Sequence, residues 1–111
     1  MKKTQYLSLI CLLAGASAAY AQPAAKGDAA KGKTIFDAQC SVCHDAATTD
    51  KKMGPGFKGL YKRPKLATTG KATSDANVLD KINIGGNGMP PYKDSLNDTE
   101  RANLIAYLKT L

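Results

Sequence analysis

The chain has 111 residues, a formal net charge of +7, no tryptophan and two phenylalanines. This length holds one domain and no more, and so few large aromatics make a thin apolar core for it. The positive balance favours acidic protein surfaces as partners. Nucleic acid is disfavoured, because the basic residues form no clustered stripe and the chain opens with an export signal.

That signal comes first in chain order. Lys2-Lys3 precedes an apolar run from Leu7 to Ala14, and Ala19-Tyr20-Ala21 supplies a small-x-small cleavage site. The pattern predicts a secretory signal peptide over residues 1–21 that is removed after export. The run is too short to span a bilayer, and no later stretch approaches that length. Cys11 lies inside the run with no lipobox before it and is not read as a lipid anchor. Loss of Lys2 and Lys3 leaves 14 basic against 9 acidic residues, a mature charge of +5. Export also sets an oxidising, periplasm-like compartment. Residues 22–27 read as a short Ala/Pro linker and residues 28–111 as the folded domain.

Asp28 is a suitable cap for a first helix over Ala29–Gln39, with Ile35 and Phe36 on its apolar face. Gly32 lies one turn before Phe36. Glycine inside a helix costs about 1 kcal/mol relative to alanine. Close approach of a second helix would justify that cost; a merely tolerated surface glycine is the alternative.

The helix runs into Cys40-Ser41-Val42-Cys43-His44. C-x-x-C-H is the attachment pattern for a c-type haem. Two cysteines about one helical turn apart can both reach the vinyl groups on one porphyrin edge, and the adjacent histidine then lies under the iron as one axial ligand. C-x-x-C alone also serves zinc and thiol–disulfide exchange. Zinc would need two further ligands, yet His44 is the only histidine and Cys11 the only other cysteine. A redox dithiol would want a strand–helix setting, and no strand pattern precedes Cys40. A buried haem would also remedy the shortage of core aromatics.

Thr48 to Lys52 is polar, Met53-Gly54-Pro55-Gly56 is a turn cluster, and Lys62 to Thr73 is basic and unpatterned. Pro55 keeps a carbonyl that could accept the free ring N–H of a metal-bound His44. Ser74 or Asp75 can start a helix whose apolar positions are Val78, Leu79 and Ile82, and which stops at Gly85-Gly86-Asn87-Gly88. Met89 follows, stiffened by Pro90 and Pro91. Its soft sulfur suits haem iron opposite the histidine; Met53, nine residues past His44, is poorly placed to reach the opposite face. Asn97 with Glu100 forms a capping-box variant for a last helix, Asp98 to Lys109, with a stripe of Leu104, Ile105, Leu108 and Leu111 and Tyr107 at its edge. The first and last helices should cross at Gly32, so that Phe36 meets Leu104 and Tyr107. No repeat or strand alternation occurs, which predicts an all-α domain.

Over Gly27 to Leu111 the chain resembles a class I monohaem cytochrome c. The resemblance is carried by Gly27-Asp28 through Phe36, by the attachment motif, by Met53-Gly54-Pro55-Gly56-Phe57-Lys58-Gly59-Leu60-Tyr61, by Gly88-Met89-Pro90, and by Glu100 to Leu108. It implies three to four helices packed around one covalently bound haem, with the terminal helices crossing. It further implies thioether links at Cys40 and Cys43, His44 and Met89 as axial ligands, and the Pro55 carbonyl as acceptor from His44. Arg63 falls where some members place an arginine near a haem propionate, or stays a solvated loop charge. Asn87 would bond the methionine sulfur or shape the turn. The departures are Phe57 where leucine is common, the missing tryptophan, and a short stretch from Leu66 to Asn77 that fits no subtype.

The expected function is that of a soluble, monomeric, periplasmic one-electron carrier, not an enzyme. Lys51, Lys52, Lys58 and Lys93 would steer docking to acidic redox partners such as an oxidase, reductase or dehydrogenase. Two alternatives stand beside it. If Met89 does not bind, open iron would suit a peroxidase or gas sensor; without haem, Cys40 and Cys43 would form a thiol oxidoreductase.

Overall fold

Helix caps decide where this chain folds. The computed structural model describes residues 26–111, so the predicted signal peptide and residues 22–25 of the predicted linker lie outside the described residues. Within them are three α-helices, α1 (Ala29–Gln39), α2 (Asp75–Ile84) and α3 (Asp98–Leu108), with a single 3-10 turn at Leu60–Lys62. Two isolated bridges, Lys65 with Ala72 and Gly86 with Met89, are the only β pairing among the described residues. The fold is all-α, as the periodicity predicts.

Each helix starts at a side chain that accepts otherwise orphaned backbone N–H groups. The Asp28 carboxylate accepts from Ala30 and Lys31, Ser74 accepts from Asn77, and Asn97 and Glu100 bond each other's backbone in a reciprocal capping box. The last helix ends at Leu108, one residue before the predicted Lys109.

α1 and α3 cross at very short range, and glycine makes this possible. A Cβ at Gly32 would overlap the Asn103 carbonyl, and one at Gly27 would overlap that of Ala102. Gly27 is thus packed against α3. The Phe36 and Tyr107 rings sit 5.4 Å apart at a 57° tilt, and Phe36 and Leu104 are each only 2% exposed. Asn103 is buried in the same crossing, where its side-chain oxygen accepts the Asp28 N–H at 2.7 Å. One residue thereby ties the start of α1 to the middle of α3.

The intervening chain is more ordered than its composition suggests. Leu60, Leu66 and Leu96 join the core, whereas Leu79 of α2 is only half-buried and lies outside it. The stretch read as basic and unpatterned is a closed loop: the Leu66 N–H donates to the Lys71 carbonyl, Gly70 to Leu66, and Thr73 to Pro64. These bonds swing Leu66 inward from between the exposed Lys65 and Ala67.

Candidate cofactor site

The three helices do not close on one another completely. Between them and the loops lies a cleft of about 500 Å³, within the ~300–1,000 Å³ range of small-molecule sites. Seven of the nine buried core side chains among the described residues also line it. The apolar core is therefore wrapped around this space.

One wall is the segment leaving α1. Cys40 caps the helix, and the N–H groups of Cys43 and His44 both donate to the Cys40 carbonyl, at 3.1 and 2.9 Å. This extra turn brings Cys40, Cys43 and His44 to the same cleft. Neither cysteine is in a disulfide. Burial, and then the neighbouring Cys43, push the Cys40 thiol up to about 11.

His44 is held on three sides. Its Nδ1 lies 2.8 Å from the Pro55 carbonyl. A carbonyl can only accept, so Nδ1 carries the proton and Nε2 keeps the lone pair that a metal needs. Phe57 stacks on the imidazole at 4.3 Å and 18°. Gly54 passes so close to the ring that a Cβ there would overlap His44 Cε1. The Gly54 N–H donates to the Cys43 carbonyl at 2.8 Å, folding the turn cluster back over the motif.

Met89 lines the same cleft from the other end of the chain. Asn87 and Gly88 both take positive φ, 55° and 86°, and Gly86 and Met89 exchange two backbone hydrogen bonds across them, at 2.9 and 3.2 Å. This is the Asn-Gly hairpin turn, in which both central residues must be left-handed. Asn87 is thus fixed by its backbone conformation, and its side chain is exposed beside the cleft. Tyr92 secures the far side of the loop, donating its N–H to the Ile82 carbonyl and its hydroxyl to the Gln39 carbonyl at 3.0 Å. Met53 lines the cleft as well, but it is 75% exposed and its sulfur lies 3.9 Å from Cys43 Sγ, on the attachment side.

Arg63 also reaches the cleft, but its guanidinium is already engaged with the carbonyls of Gly56 at 3.0 Å and Lys58 at 2.6 Å. It braces the loop that carries Pro55 and Phe57. Of the four lysines expected around the edge, Lys51 lines the cleft while Lys52, Lys58 and Lys93 do not. Gly54, the stacked Phe57 and Tyr92 shape the site, although the sequence assigns none of them a role in it. A glycine directly before Pro55 is the one cue the sequence offers for the first.

The donor set fits a c-type haem. Two unpaired thiols, an imidazole of fixed tautomer and the thioethers of Met53 and Met89 line one largely apolar cleft, and in a cytochrome c two thiols, an imidazole and one thioether would hold the porphyrin and its iron.

Comparison with known proteins shows the family. Residues 27–108 match the family model described as cytochrome c oxidase, cbb3-type, subunit III. Cytochrome c-554(547) of Halothiobacillus neapolitanus is 36% identical over 89 residues, 77% of this chain and 98% of that protein. A cytochrome c-553-like protein of Synechocystis is 34% identical, over 79% of this chain and 73% of its own length. Among solved structures, cytochrome c6 of the diatom Phaeodactylum tricornutum superposes with a TM-score of 0.56 at 26% identity, covering 76% of this chain and 93% of that one.

Proposed function

The chain belongs to the cytochrome c family with haem c as its cofactor, and from that premise we propose that it is a periplasmic one-electron carrier with His44 and Met89 as axial ligands. The observation that carries the reading is the convergence of Cys40, Cys43, His44 and Met89 on one cleft. When bound, the haem supplies a one-electron iron couple whose potential depends on axial ligation, hydrogen bonding and burial. The residues of the chain do the rest. Cys40 and Cys43 would anchor one porphyrin edge. Pro55 fixes the His44 tautomer through its 2.8 Å hydrogen bond, which also raises the basicity of the imidazole. Phe36 and Leu104 keep water from the inner wall. With His44 and Met89 both holding the iron, no position would be left for a substrate, and one-electron exchange would be the chemistry the group supplies.

Lys51 on the rim and the positive net charge support docking to acidic redox partners. The signal-peptide pattern supports the periplasm, and no helix among the described residues is long and apolar enough to cross a membrane. The thiol oxidoreductase reading fares worse. Exchange needs a thiolate at neutral pH, and burial drives the Cys40 thiol the opposite way.

The test is to export the protein from a host with a working c-type maturation apparatus. Intact mass should show the mature chain plus one haem. The ascorbate-reduced spectrum should be that of low-spin c-haem, and the oxidised form should carry the far-red sulfur-to-iron charge-transfer band. A mature chain without the haem mass overturns the reading, and carbon monoxide binding by the untreated reduced protein would overturn Met89 ligation in favour of open iron.

A further inference from the structure

The loop that presents Met89 is poorly equipped to hold itself in place. Four successive residues have positive φ: Gly85 at 68°, Gly86 at 103°, Asn87 at 55° and Gly88 at 86°. Three are glycines, which lose the most conformational freedom on folding and offer no side chain for anchoring. A side chain at Gly85 could not supply the anchor, since its Cβ would overlap the Met89 carbonyl. On the C-terminal side Tyr92 fastens the loop to Ile82 and Gln39. On the N-terminal side the fastening is a single side chain, Lys81, in the last turn of α2.

The Lys81 ammonium donates to the Gly85 carbonyl and to the Gly86 carbonyl, both at 3.0 Å. A cation here also complements the negative end of α2, where carbonyls lack helical partners. Gly86 is the residue whose N–H and C=O make both hydrogen bonds to Met89. Lys81 therefore grips the residue on which the Met89 turn is built, and it lines the same cleft. The lysine pattern gives no hint of this role, because Lys81 is one of many basic residues and lies outside every motif.

We propose that Lys81 is a positioning residue for Met89: its ammonium clamps the Gly85–Gly86 backbone and thereby keeps the methionine sulfur at the iron. The proposal rests on the reading of Met89 as axial ligand. Loss of the clamp frees the turn to swing outward, so an outside ligand competes more easily for the position Met89 vacates. Arginine at position 81 can restore donors to the same carbonyls, whereas alanine cannot.

The experiment compares the oxidised, haem-loaded wild type with Lys81→Ala and Lys81→Arg. Three readouts are taken: the far-red sulfur-to-iron band, the rate at which added imidazole displaces it, and the thermal unfolding midpoint. Lys81→Ala is expected to take up imidazole faster by on the order of tenfold, the weight of one charge-assisted hydrogen bond. Lys81→Arg should return most of the way to wild type, and the helical circular dichroism of both variants should be unchanged. Wild-type displacement rates in Lys81→Ala overturn the proposal while leaving Met89 ligation intact. Faster displacement that arginine does not restore, with a matching fall in the unfolding midpoint, also overturns it, since that is the mark of general destabilisation. A wild type that lacks the far-red band overturns the Met89 reading, and the role of Lys81 with it.

Discussion

Gly54 sets how near the chain can come to His44, so a position with no side chain bears directly on the imidazole. In Gly54→Ala the new Cβ would meet the ring carbon between the two imidazole nitrogens. The imidazole must then tilt away from Pro55 or the turn must open. Overpacking of this kind costs about 1–3 kcal/mol. The expected outcome is a lowered denaturation midpoint together with loss of the slowly exchanging His44 Nδ1–H signal in the proton NMR spectrum; retention of that signal would show the ring undisturbed. Tyr61 yields a pH prediction at the same scale. Its hydroxyl oxygen is buried without a hydrogen-bond partner, and burial, then the negative charge of Asp75, push its pKa well above the ordinary tyrosine value. The unfolded chain releases this proton near pH 10 while the folded chain retains it. Stability is therefore full below about pH 10 and falls as pH rises beyond it. Tyr61→Phe should flatten that alkaline limb in unfolding free energies measured from pH 8 to 11, and an unchanged slope would exclude Tyr61 as its source.

At the scale of elements, caps and crossings carry different weights. Asn97→Ala removes one half of the capping box on α3 and should cost about 1 kcal/mol, seen as a modest shift in denaturant midpoint with haem content unchanged. Gly32→Ala acts on the contact between α1 and α3. Its Cβ would overlap a backbone carbonyl of α3, which cannot rotate aside as a side chain could. The helices must separate, and the Phe36–Tyr107 contact and the Asn103–Asp28 bond are lost together. A loss of about 3 kcal/mol or more is expected, with a sharp fall in haem-loaded yield. Equal effects from the two variants would contradict the close crossing.

At the scale of the whole molecule, the core and the cofactor site are one object. Most of the buried side chains line the cleft, so a haem would serve as the plate on which both sides of the core pack. This accounts for how a chain with two phenylalanines and no tryptophan can form a domain of this size. The double variant Cys40→Ser with Cys43→Ser, which cannot form thioethers, is expected to lose cooperative unfolding and near-ultraviolet dichroism while it keeps part of its helical signal. It should also bind a hydrophobic dye that the haem-loaded protein does not. A haem-free chain that unfolds as sharply as the loaded one would show that the core closes without its cofactor.

The sequence by itself determined the helices, the attachment chemistry and the family resemblance. All of these depend on short-range features: a capping side chain acts within three residues, and C-x-x-C-H acts within five. It also marked Gly32 and Pro55, because a glycine inside a helix and a proline in a turn near the histidine both stand out locally. Only the tertiary structure decided the remainder. Leu66 became core because loop closure turned it inward, and Leu79 did not because α2 buries Val78 and Ile82 instead. Asn103 took up the Asp28 N–H from 75 residues away, Phe57 stacked on His44, and Lys81 found the Gly86 carbonyl. None of these has a local signature: Asn103 meets Asp28 only where α1 and α3 cross, Phe57 meets His44 only when the loop folds back, and Lys81, though five residues from Gly86, reaches it only through the left-handed turn after α2.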